Sequence, residues 1–373
     1  MELKVGEKSW VLSDDERPAL TAWLTINRAC NLRCVWCYAK MMGYNKHTMT
    51  LAVAQAAINM MKDLGLKSVI LIGGEPTVHP YFFEIIRMVR EAGLEAYLVT
   101  NAIRVADNNF LKRTLDAGVT SITVSFKAAN REMFKRDTGA DFFNESVQAV
   151  RNIVESGVNH VVNITACENL MTHFDEMIET IKSTGTDKFS IDTGKPIFLN
   201  GQSCADGMAN PREIADFFMS VYPKLERSGL RFSVKVAIPF CLFPRDFVDK
   251  MIADGNILTG CQMVSARGLI IDPLGRILPC NHVCDHFIGE IGKDFKTAEE
   301  FRSFRRSPAM LDFYQTVSGH PDGLCSECAY WGMCGAGCKL YWMHYGASDM
   351  IGDFNGNMKY EGGDVEDKKT AQM

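Results

Sequence analysis

The stretch from Trp23 to Tyr38 reads Trp-Leu-Thr-Ile-Asn-Arg-Ala-Cys-Asn-Leu-Arg-Cys-Val-Trp-Cys-Tyr. Its apolar first part, Trp23 to Asn27, predicts a short strand that runs directly into three cysteines spaced C-x3-C-x2-C. Three thiolates on one loop supply three of the four ligands that an iron–sulfur cubane takes, which leaves one iron open to a small molecule. Tyr38, beside the last cysteine, is expected to shield such a cluster from solvent.

Outward from this stretch, strand-like and helix-like segments alternate up to about residue 236. The further predicted strands are Ser68 to Ile72, Ala96 to Thr100, Ser121 to Phe126, Val161 to Ala166 and Phe189 to Asp192. The predicted helices are Leu51 to Leu64, Pro80 to Glu91, Phe110 to Ala117, Glu145 to Glu155, Phe174 to Lys182 and Pro211 to Glu226. Six strands that alternate with helices indicate an α/β fold of parallel βα units. Because polar motifs follow several strand ends, the pattern favours a βα barrel, or part of one, over an open sheet.

Length and composition restrict the class of protein. The 373 residues are enough for a core domain and a smaller attachment, and 47% hydrophobic with 23% charged residues is typical of a globular protein. A formal net charge of -5 gives no basic field for nucleic acid or for an anionic membrane, and no apolar run is long enough to cross a bilayer. The charged N-terminus lacks a signal-peptide core, so a cytoplasmic location is expected.

The chain has 13 cysteines. In a chain without a secretion signal, so many cysteines point to metal or redox chemistry rather than to disulfides. Cys167 and Cys204 stand alone and are expected to be small hydrophobic residues. The other cysteines fall in clusters whose spacing is typical of metal ligands.

The motif of Cys30, Cys34 and Cys37, with the aromatic Trp36 before the last cysteine and a strand before the first, resembles that of the radical S-adenosylmethionine (SAM) superfamily. The resemblance implies a partial (β/α)6 barrel and a [4Fe–4S] cluster whose open iron is chelated by the amine and carboxylate of SAM. It also implies that the reduced cluster cleaves SAM to methionine and a 5′-deoxyadenosyl radical, which abstracts hydrogen from a substrate. The alternative is a structural zinc site, for which His47 is the nearest fourth ligand.

Gly73-Gly74-Glu75-Pro76 follows the second predicted strand. Glycines let the backbone approach a ligand closely, and the carboxylate of Glu75 supplies an acceptor for a cationic amine. In the superfamily this turn binds the methionyl ammonium of SAM, so the resemblance implies that role for Gly74 and Glu75. A tight turn with proline at the start of a helix is the alternative interpretation.

The resemblance implies further SAM contacts at later strand ends. Ser125 matches a polar position that contacts the ribose or carboxylate of SAM, although an ordinary strand-end hydroxyl explains it equally well. Lys127 stands where many relatives have an acidic residue, so no role is assigned to it. Asn101, in Thr-Asn-Ala, is similar to the usual Thr-Asn-Gly and is expected to line the same mouth. Ile164 packs either on the adenine or in the core.

After about residue 240 the alternation stops, and eight cysteines follow between Cys241 and Cys338. This composition predicts a loop-rich domain that is held by metal rather than by a large core. Its cysteines resemble the SPASM extension of radical SAM enzymes, which usually holds two auxiliary iron–sulfur clusters. The matching pattern is Cys261, Gly275-x4-Cys280 and Cys325-x2-Cys328-x5-Cys334-x3-Cys338. No cysteine follows Cys338, which departs from that pattern, and a structural zinc module is the alternative.

The family topology implies how these cysteines divide. One cluster is shared by Cys325, Cys328 and Cys334, and the other by Cys261, Cys280 and Cys338. Eight cysteines are what two fully cysteine-ligated clusters need, so Cys241 and Cys284 are candidates for the remaining corners. Asp349, Asp353 or an open site for substrate are the alternatives.

The predicted organisation has four parts. They are an N-terminal extension (1–19), a radical SAM partial barrel (20–236), a SPASM-like auxiliary cluster domain (237–348) and a polar, acidic, disordered tail (349–373). Because the first strand begins at Trp23, no fused peptide-recognition domain is expected ahead of it.

Enzymes with SPASM domains act mostly on peptides or proteins. The resemblance therefore predicts a maturase that forms a thioether or carbon–carbon crosslink in a ribosomally synthesised peptide. The expected partners are that peptide, an external one-electron reductant (flavodoxin or ferredoxin) and, unless the barrel surface recognises the substrate, a separate leader-peptide recognition protein.

Three other functions are alternatives to this prediction. Formylglycine formation, as in sulfatase maturation, needs a base near the substrate, and Asp192, Glu168 and Lys195 lie near strand ends. A small-molecule enzyme, such as one that modifies a haem precursor, is the second. An iron–sulfur electron carrier that never cleaves SAM is the third, and Gly73-Gly74-Glu75 argues against it because a carrier needs no amine site.

Overall fold

The computed structural model describes residues 2–5, 8–11, 21–40, 47–265, 268–283 and 285–352. Its strands are β1 (Glu2–Val5), β2 (Lys8–Val11), β3 (Thr21–Thr25), β4 (Ser68–Ile72), β5 (Glu95–Thr100), β6 (Val119–Ser125), β7 (Asn159–Ala166), β8 (Lys188–Thr193), β9 (Ile197–Leu199), β10 (Gln202–Cys204), β11 (Arg231–Lys235), β12 (Ile257–Leu258), β13 (Gly268–Ile271), β14 (Arg276–Leu278) and β15 (Gly289–Glu290). Its α-helices are α1 (Leu51–Asp63), α2 (Phe82–Glu91), α3 (Asn108–Asp116), α4 (Arg131–Thr138), α5 (Phe143–Ser156), α6 (Glu168–Thr172), α7 (Phe174–Lys182), α8 (Pro211–Arg227), α9 (Arg245–Asp254), α10 (Gln262–Ser265), α11 (Ala298–Arg305), α12 (Pro308–Ser318), α13 (Trp331–Cys334), α14 (Lys339–His344) and α15 (Ala347–Met350).

Most strands join one eleven-stranded sheet, in the order β12-β11-β8-β7-β6-β5-β4-β3-β13-β14-β15. Neighbours from β12 to β13 are parallel, and β14 and β15 add an antiparallel edge. The six predicted strands are β3 to β8, side by side in chain order, which confirms the α/β fold. Within the described ranges β12 and β15 are the two edges of the sheet, so the sheet is open, as a partial barrel is.

The hydrophobic core lies against one face of this sheet. Every second residue of the strands on that face is apolar. Leu24, Leu71, Leu98 and Ile122 occupy one cross-strand row and are fully buried. Burial of such a side chain contributes about 1.5–3 kcal/mol, so this row fixes the register of the four strands. The register in turn aligns their carboxyl ends, where the polar motifs lie.

Helix α4 was missed by the sequence argument, which placed a single helix between the fourth and fifth strands. It begins at Asn130, whose side chain accepts from the Met133 N–H, and it ends at Gly139 with φ +69°. Its apolar contribution is limited to Met133 and Phe134, so its hydrophobic periodicity is weak. This short helix matters because it holds the cysteine loop.

The sheet also continues past the predicted sixth strand. β11 pairs with β8, and β13 pairs with β3, so residues on both sides of the predicted boundary at 236 share one sheet. The region after 240 contains helices α9, α11 and α12 where mostly loops were expected. The domain boundaries themselves stay a prediction.

Two further expectations concern the end of the chain. Arg212 donates to the carbonyl oxygens of Ser348 (2.6 Å) and Ile351 (2.9 Å), so residues 349–352 are packed although disorder was expected from 349. The rest of the predicted tail lies outside the described residues.

No helix in the described part of the chain is long and apolar enough to cross a membrane.

Candidate functional site

Three predicted motifs meet at the carboxyl ends of β3, β4 and β5. The cysteine loop leaves β3, Gly73-Gly74-Glu75 leaves β4, and Asn101 leaves β5. The parallel register pairs Thr25 with Ile72 and Thr100 with Val124, so all of these turns open on one edge of the sheet. We call this edge the mouth.

Backbone hydrogen bonds from α4 fix the cysteine loop at the mouth. Arg33 N donates to Thr138 O (2.8 Å) and Val35 N to Asp137 O (2.9 Å), while Cys37 N closes a turn on Cys34 O (3.1 Å). The loop therefore has a defined shape that depends on a helix from a distant part of the chain.

The thiols of this loop lie in a protected environment. Burial raises the pKa of Cys30 to about 12, and the charges of Glu75, Cys34 and Cys37 add to the rise. Burial likewise raises the pKa of Cys34 to about 11, although the cation of Lys127 opposes it. Such thiols become thiolates when a positive centre such as iron replaces the proton.

Gly73 and Gly74 pack against the backbone that enters the cysteine loop. A Cβ on Gly74 would lie 2.4 Å from the carbonyl oxygens of Arg28 and Ala29, and one on Gly73 would lie 2.1 Å from Asn27 Oδ1. Only glycine permits this approach. The two glycines therefore set the distance between the β3 and β4 turns.

Glu75 has partners other than those expected. Its Oε1 accepts from Thr77 N (3.1 Å), Thr77 Oγ1 (2.7 Å) and Thr100 Oγ1 (2.6 Å), and its Oε2 accepts from Asn101 N (2.8 Å). The side chain is 1% exposed. This carboxylate is engaged by four donors within the protein, so its geometry ties the ends of β4 and β5 together. The contact of Glu75 with the amine of SAM stays a prediction.

Asn101 and Tyr38 lie where the sequence predicted them, at the mouth. Asn101 Nδ2 donates to Asn31 Oδ1 (2.8 Å) and lies 4.0 Å from Cys30 Sγ. Tyr38 Oη donates to Gly73 O (2.8 Å), which brings its ring over the turn after β4. Both side chains therefore border the cysteine loop.

Buried polar atoms without partners also gather here. Thr25 Oγ1, Asn27 Oδ1 and both terminal nitrogens of Arg28 make no hydrogen bond, and all three residues are at most 1% exposed. An unpaired buried polar group costs about 1–3 kcal/mol. Together with the protected thiols and the glycine cradle, these atoms fit a mouth that a bound group completes.

The C-terminal cysteines form two groups. The first group is Cys241, Cys325, Cys328 and Cys334. Phe240 N donates to Cys334 Sγ (3.3 Å), which places Cys241 beside the run of cysteines 84 to 93 residues later. Burial raises the pKa of Cys325 to about 12, and the charges of Cys241 and Cys334 add to the rise. Cys241 thus joins the cysteine-rich run from outside it.

The second group is Cys261, Cys280 and Cys338. Burial raises the pKa of Cys280 to about 12, and Cys338 and Cys261 add to the rise. Cys338 N donates to Ala237 O (2.7 Å), which fixes this group against the end of β11. Cys284 and Asp353 lie outside the described residues, and Asp349 lies on α15.

Among the residues that the structure describes, no three Cys, His, Asp or Glu side chains converge on one metal-ion position. A cubane binds its cysteines through separate iron atoms, so its ligands do not converge on one ion.

The part of the chain that holds the mouth is similar to a known protein family. Residues 24–181 match the Radical SAM superfamily. The chain carries a radical SAM domain. A domain of this superfamily implies a [4Fe–4S] cluster that uses SAM, as the sequence predicted.

The radical SAM domain has relatives in sequence and in structure. A probable GTP 3′,8-cyclase of Saccharolobus islandicus is 25% identical over 301 residues, covering 77% of this chain and 93% of the relative. One of Metallosphaera sedula is 26% identical over 280 residues, covering 73% of this chain and 84% of the relative. The structure of anSMEcpe with bound AdoMet has a TM-score of 0.68 at 17% identity, covering 90% of this chain and 93% of that one. Streptococcus suis SuiB bound to S-adenosylmethionine has a TM-score of 0.63 at 15% identity, covering 90% and 76%.

Two residues that the sequence predicted as SAM contacts have partners within the protein. Ser125 lies at the end of β6, but its Oγ accepts a hydrogen bond from Lys127 Nζ. Ile164 is fully buried in the hydrophobic core, which favours the core-packing alternative, and its contact with the adenine stays a prediction. In β7 the partly exposed neighbours are Asn163 and Thr165.

The radical SAM domain has a polar wall on the partly exposed faces of β7, β8 and β11. Asn163 Oδ1 accepts from Ser190 Oγ (2.7 Å), and Asp192 Oδ1 accepts from Lys195 Nζ (2.6 Å). Although burial opposes ionisation of Asp192, attraction to Lys195 and Lys235 lowers its pKa. The wall thus consists of polar side chains on neighbouring strands, with the charged pair of Asp192 and Lys195 at the carboxyl end of β8.

His282 is a residue that the sequence argument missed. Its ring lies 5.5 Å from that of Tyr38, so it connects the second cysteine group with the mouth of the radical SAM domain. Burial, followed by the cation of Lys195, lowers the pKa of His282 to about 3. Its position two residues after Cys280 was the available indication.

Proposed function

We propose that this radical SAM enzyme modifies a peptide or protein, forming a thioether or carbon–carbon crosslink in a ribosomally synthesised peptide. The observation that carries the proposal is that the second cysteine group packs beside the mouth, with His282 in contact with Tyr38. A substrate at the mouth would therefore lie between the SAM site and a second redox centre. In support, anSMEcpe with the Cp18Cys peptide and SuiB with precursor peptide SuiA share the fold over 90% of this chain.

At the mouth, Cys30, Cys34 and Cys37 would hold a [4Fe–4S] cluster. When bound and reduced, that cluster supplies reductive cleavage of SAM to methionine and a 5′-deoxyadenosyl radical. The protein orients the reactants and excludes water, because a primary radical reacts with almost any group nearby. Tyr38 covers the loop, and Glu75 holds the β4 and β5 turns at a fixed separation.

Lys127 is proposed to neutralise the carboxylate of SAM. Its cation acts on Cys34, so it lies close to the cysteine loop. Its Nζ donates to Ser125, and it makes no salt bridge to a carboxylate within the described ranges. A lysine there replaces the acidic residue of many relatives and favours an anionic group of the ligand.

The two C-terminal groups are proposed to hold auxiliary [4Fe–4S] clusters. Cys241 is the proposed fourth ligand of the first group, which compensates for the missing cysteine after Cys338. The second group has three described cysteines, with Cys284 or a substrate atom as the proposed fourth ligand. This division keeps the pairing that the SPASM resemblance implied.

The polar wall is proposed to hold the substrate and to accept a proton. Forming a crosslink removes one hydrogen atom with 5′-deoxyadenosine, and then one proton and one electron. Of the three candidate bases, Asp192 lies on the wall, Glu168 is exposed at the start of α6, and Lys195 is protonated in its pair with Asp192. Asp192 is therefore the proposed proton acceptor.

A second candidate function follows from the curated relatives, which are probable GTP 3′,8-cyclases. One experiment separates the two functions. Anaerobic enzyme is incubated with SAM, dithionite and either a library of cysteine-containing peptides or GTP. The proposal predicts 5′-deoxyadenosine together with a peptide that loses two hydrogen masses. Consumption of GTP with no change in any peptide would replace the peptide substrate by a nucleotide. A cellular reductant and a leader-recognition protein complete the proposal.

A further inference from the structure

Lys339 is a buried lysine that lacks an acidic partner. The residue is 8% exposed, and its Nζ donates to the carbonyl oxygen of Gly319 (2.9 Å). It makes no salt bridge to a carboxylate among the residues that the structure describes. A buried cation without an anion nearby costs several kcal/mol, so the position of Lys339 requires an explanation.

The surroundings of Lys339 belong to both C-terminal cysteine groups. Lys339 directly follows Cys338 of the second group. Its Nζ lies 5.5 Å from the ring centroid of Trp331, which stands between Cys328 and Cys334 of the first group. The ring centroid of His320 lies 4.2 Å from that of Trp331. This packing helps to hold the Trp331 ring in place. The ammonium group therefore lies between the two groups.

Burial lowers the pKa of Lys339, and cysteines of both groups oppose this lowering. Cys325 and Cys334 belong to the first group, and Cys261 and Cys338 to the second. Lys195 offers a contrast, because its ammonium has Asp192 2.6 Å away. For Lys339 the compensating anions are the cysteine sites themselves.

We infer that Lys339 is the shared cation of the two auxiliary clusters and raises the reduction potential of both. The inference rests on the proposed function, which places a cluster in each group. Reduction adds one electron to a cluster whose cysteine ligands are already anionic. A nearby fixed cation stabilises the added negative charge, so its removal makes reduction harder. Because one cation faces both groups, the two potentials change together.

The test uses the full-length Cys30→Ala/Cys34→Ala/Cys37→Ala variant, which retains only the auxiliary clusters. Its clusters are reduced with dithionite in a potentiometric titration monitored by electron paramagnetic resonance. We expect Lys339→Met to shift both midpoint potentials to more negative values. Lys339→Arg keeps the charge and is expected to leave both close to the parent values. The matched control is Lys296→Met, which removes an exposed lysine and is expected to change neither.

Unchanged potentials in a Lys339→Met protein that keeps its iron would overturn the inference, and so would a shift of one potential alone. If Lys339→Met loses iron, Lys339→Gln retains a donor for the Gly319 carbonyl and is titrated instead with the same expectation. Failure of the proposed function is distinguishable, because the parent triple variant would then lack iron–sulfur signals before Lys339 is changed.

Discussion

The mouth and the C-terminal cysteine groups hold their thiols by different means. At the mouth, three cysteines lie within eight residues, on a loop fixed by backbone hydrogen bonds to α4 and by the glycine turn after β4. In the first C-terminal group, Cys241 meets cysteines 84 to 93 residues later, across loops and short helices. The mouth is thus shaped by the sheet, whereas the C-terminal groups bring distant segments together.

This difference teaches where metal contributes to the fold. A loop set by a sheet keeps its shape without its ligand. Segments that meet mainly at cysteines depend on the bound metal, whose binding free energy becomes folding free energy. Five predictions test this contrast, from the largest expected effect to the smallest.

The largest effect is expected from Gly74→Ala. The added Cβ would lie 2.4 Å from two carbonyl oxygens, so the β3 and β4 turns must separate. Displacement of reacting groups by about 1 Å costs about a hundredfold in rate, and we expect a loss of that size in 5′-deoxyadenosine formation, measured by chromatography. Gly332→Ala, where no atom lies within 4 Å, is the control. Wild-type activity of Gly74→Ala would show that the glycine cradle is not needed.

Cys241→Ala is expected to remove one cluster at a distance from the mouth. Iron content should fall by about four atoms per chain, while cleavage of SAM continues, because the mouth is built separately. Elemental analysis and 5′-deoxyadenosine formation give the two readouts. Cys204→Ala, which changes a lone cysteine, should leave iron content unchanged. Full iron content in Cys241→Ala would remove Cys241 from the first group.

Metal removal should separate the two regions. When iron is extracted with a chelator, we expect amide hydrogens of residues 237–348 to exchange faster, because their segments lose their shared ligands. The amides of β4 to β7 should remain protected, since their hydrogen bonds lie within the sheet. Hydrogen exchange measured by mass spectrometry follows both regions in one sample. Equal loss of protection in the sheet would contradict the contrast between the regions.

Glu75→Gln tests whether the mouth is pre-organised by the four donors around that carboxylate. The amide group would place N–H atoms against existing donors, and we expect the free energy of unfolding to fall by about 2–3 kcal/mol. Urea denaturation is the measurement. Glu84→Gln, on the exposed face of α2, should stay within about 0.5 kcal/mol. An unchanged stability in Glu75→Gln would show that the four donors around this carboxylate do not stabilise the mouth.

The smallest effect is expected from Lys127→Met. Loss of a single charge–charge contact of about 1.4 kcal/mol would weaken SAM binding about tenfold, as measured by equilibrium dialysis with the anaerobic protein. The exposed Lys182 provides the matched control, Lys182→Met. Equal affinity for SAM in Lys127→Met and Lys182→Met would show that Lys127 acts only as a hydrogen-bond donor to Ser125.

The sequence predicted what short-range patterns encode. The strand from Ser68 to Ile72 and the helix from Phe174 to Lys182 were placed at their observed limits, because a continuous apolar run defines the strand and periodic apolar residues define the helix. The cysteine loop and the glycine turn were located because each motif is contiguous and follows a strand. Asn101 and Tyr38 were found for the same reason.

Other features depend on contacts that the sequence does not display. The four donors to Glu75 come from three residues at the ends of two strands, so its engagement is visible only after the strands are aligned. Ile164 and Asn163 alternate in β7, and which of them faces the core depends on the register of the sheet. The pairing of Cys241 with Cys334, and the location of Lys339 between two groups, arise from long-range packing.

The most direct test of the account is the iron and sulfide content of the anaerobically purified Cys30→Ala/Cys34→Ala/Cys37→Ala variant. Two auxiliary [4Fe–4S] clusters predict about eight irons and about eight sulfides per chain, with no cleavage of SAM. Zinc in place of iron, or about four irons, would contradict the assignment of a cluster to each C-terminal group.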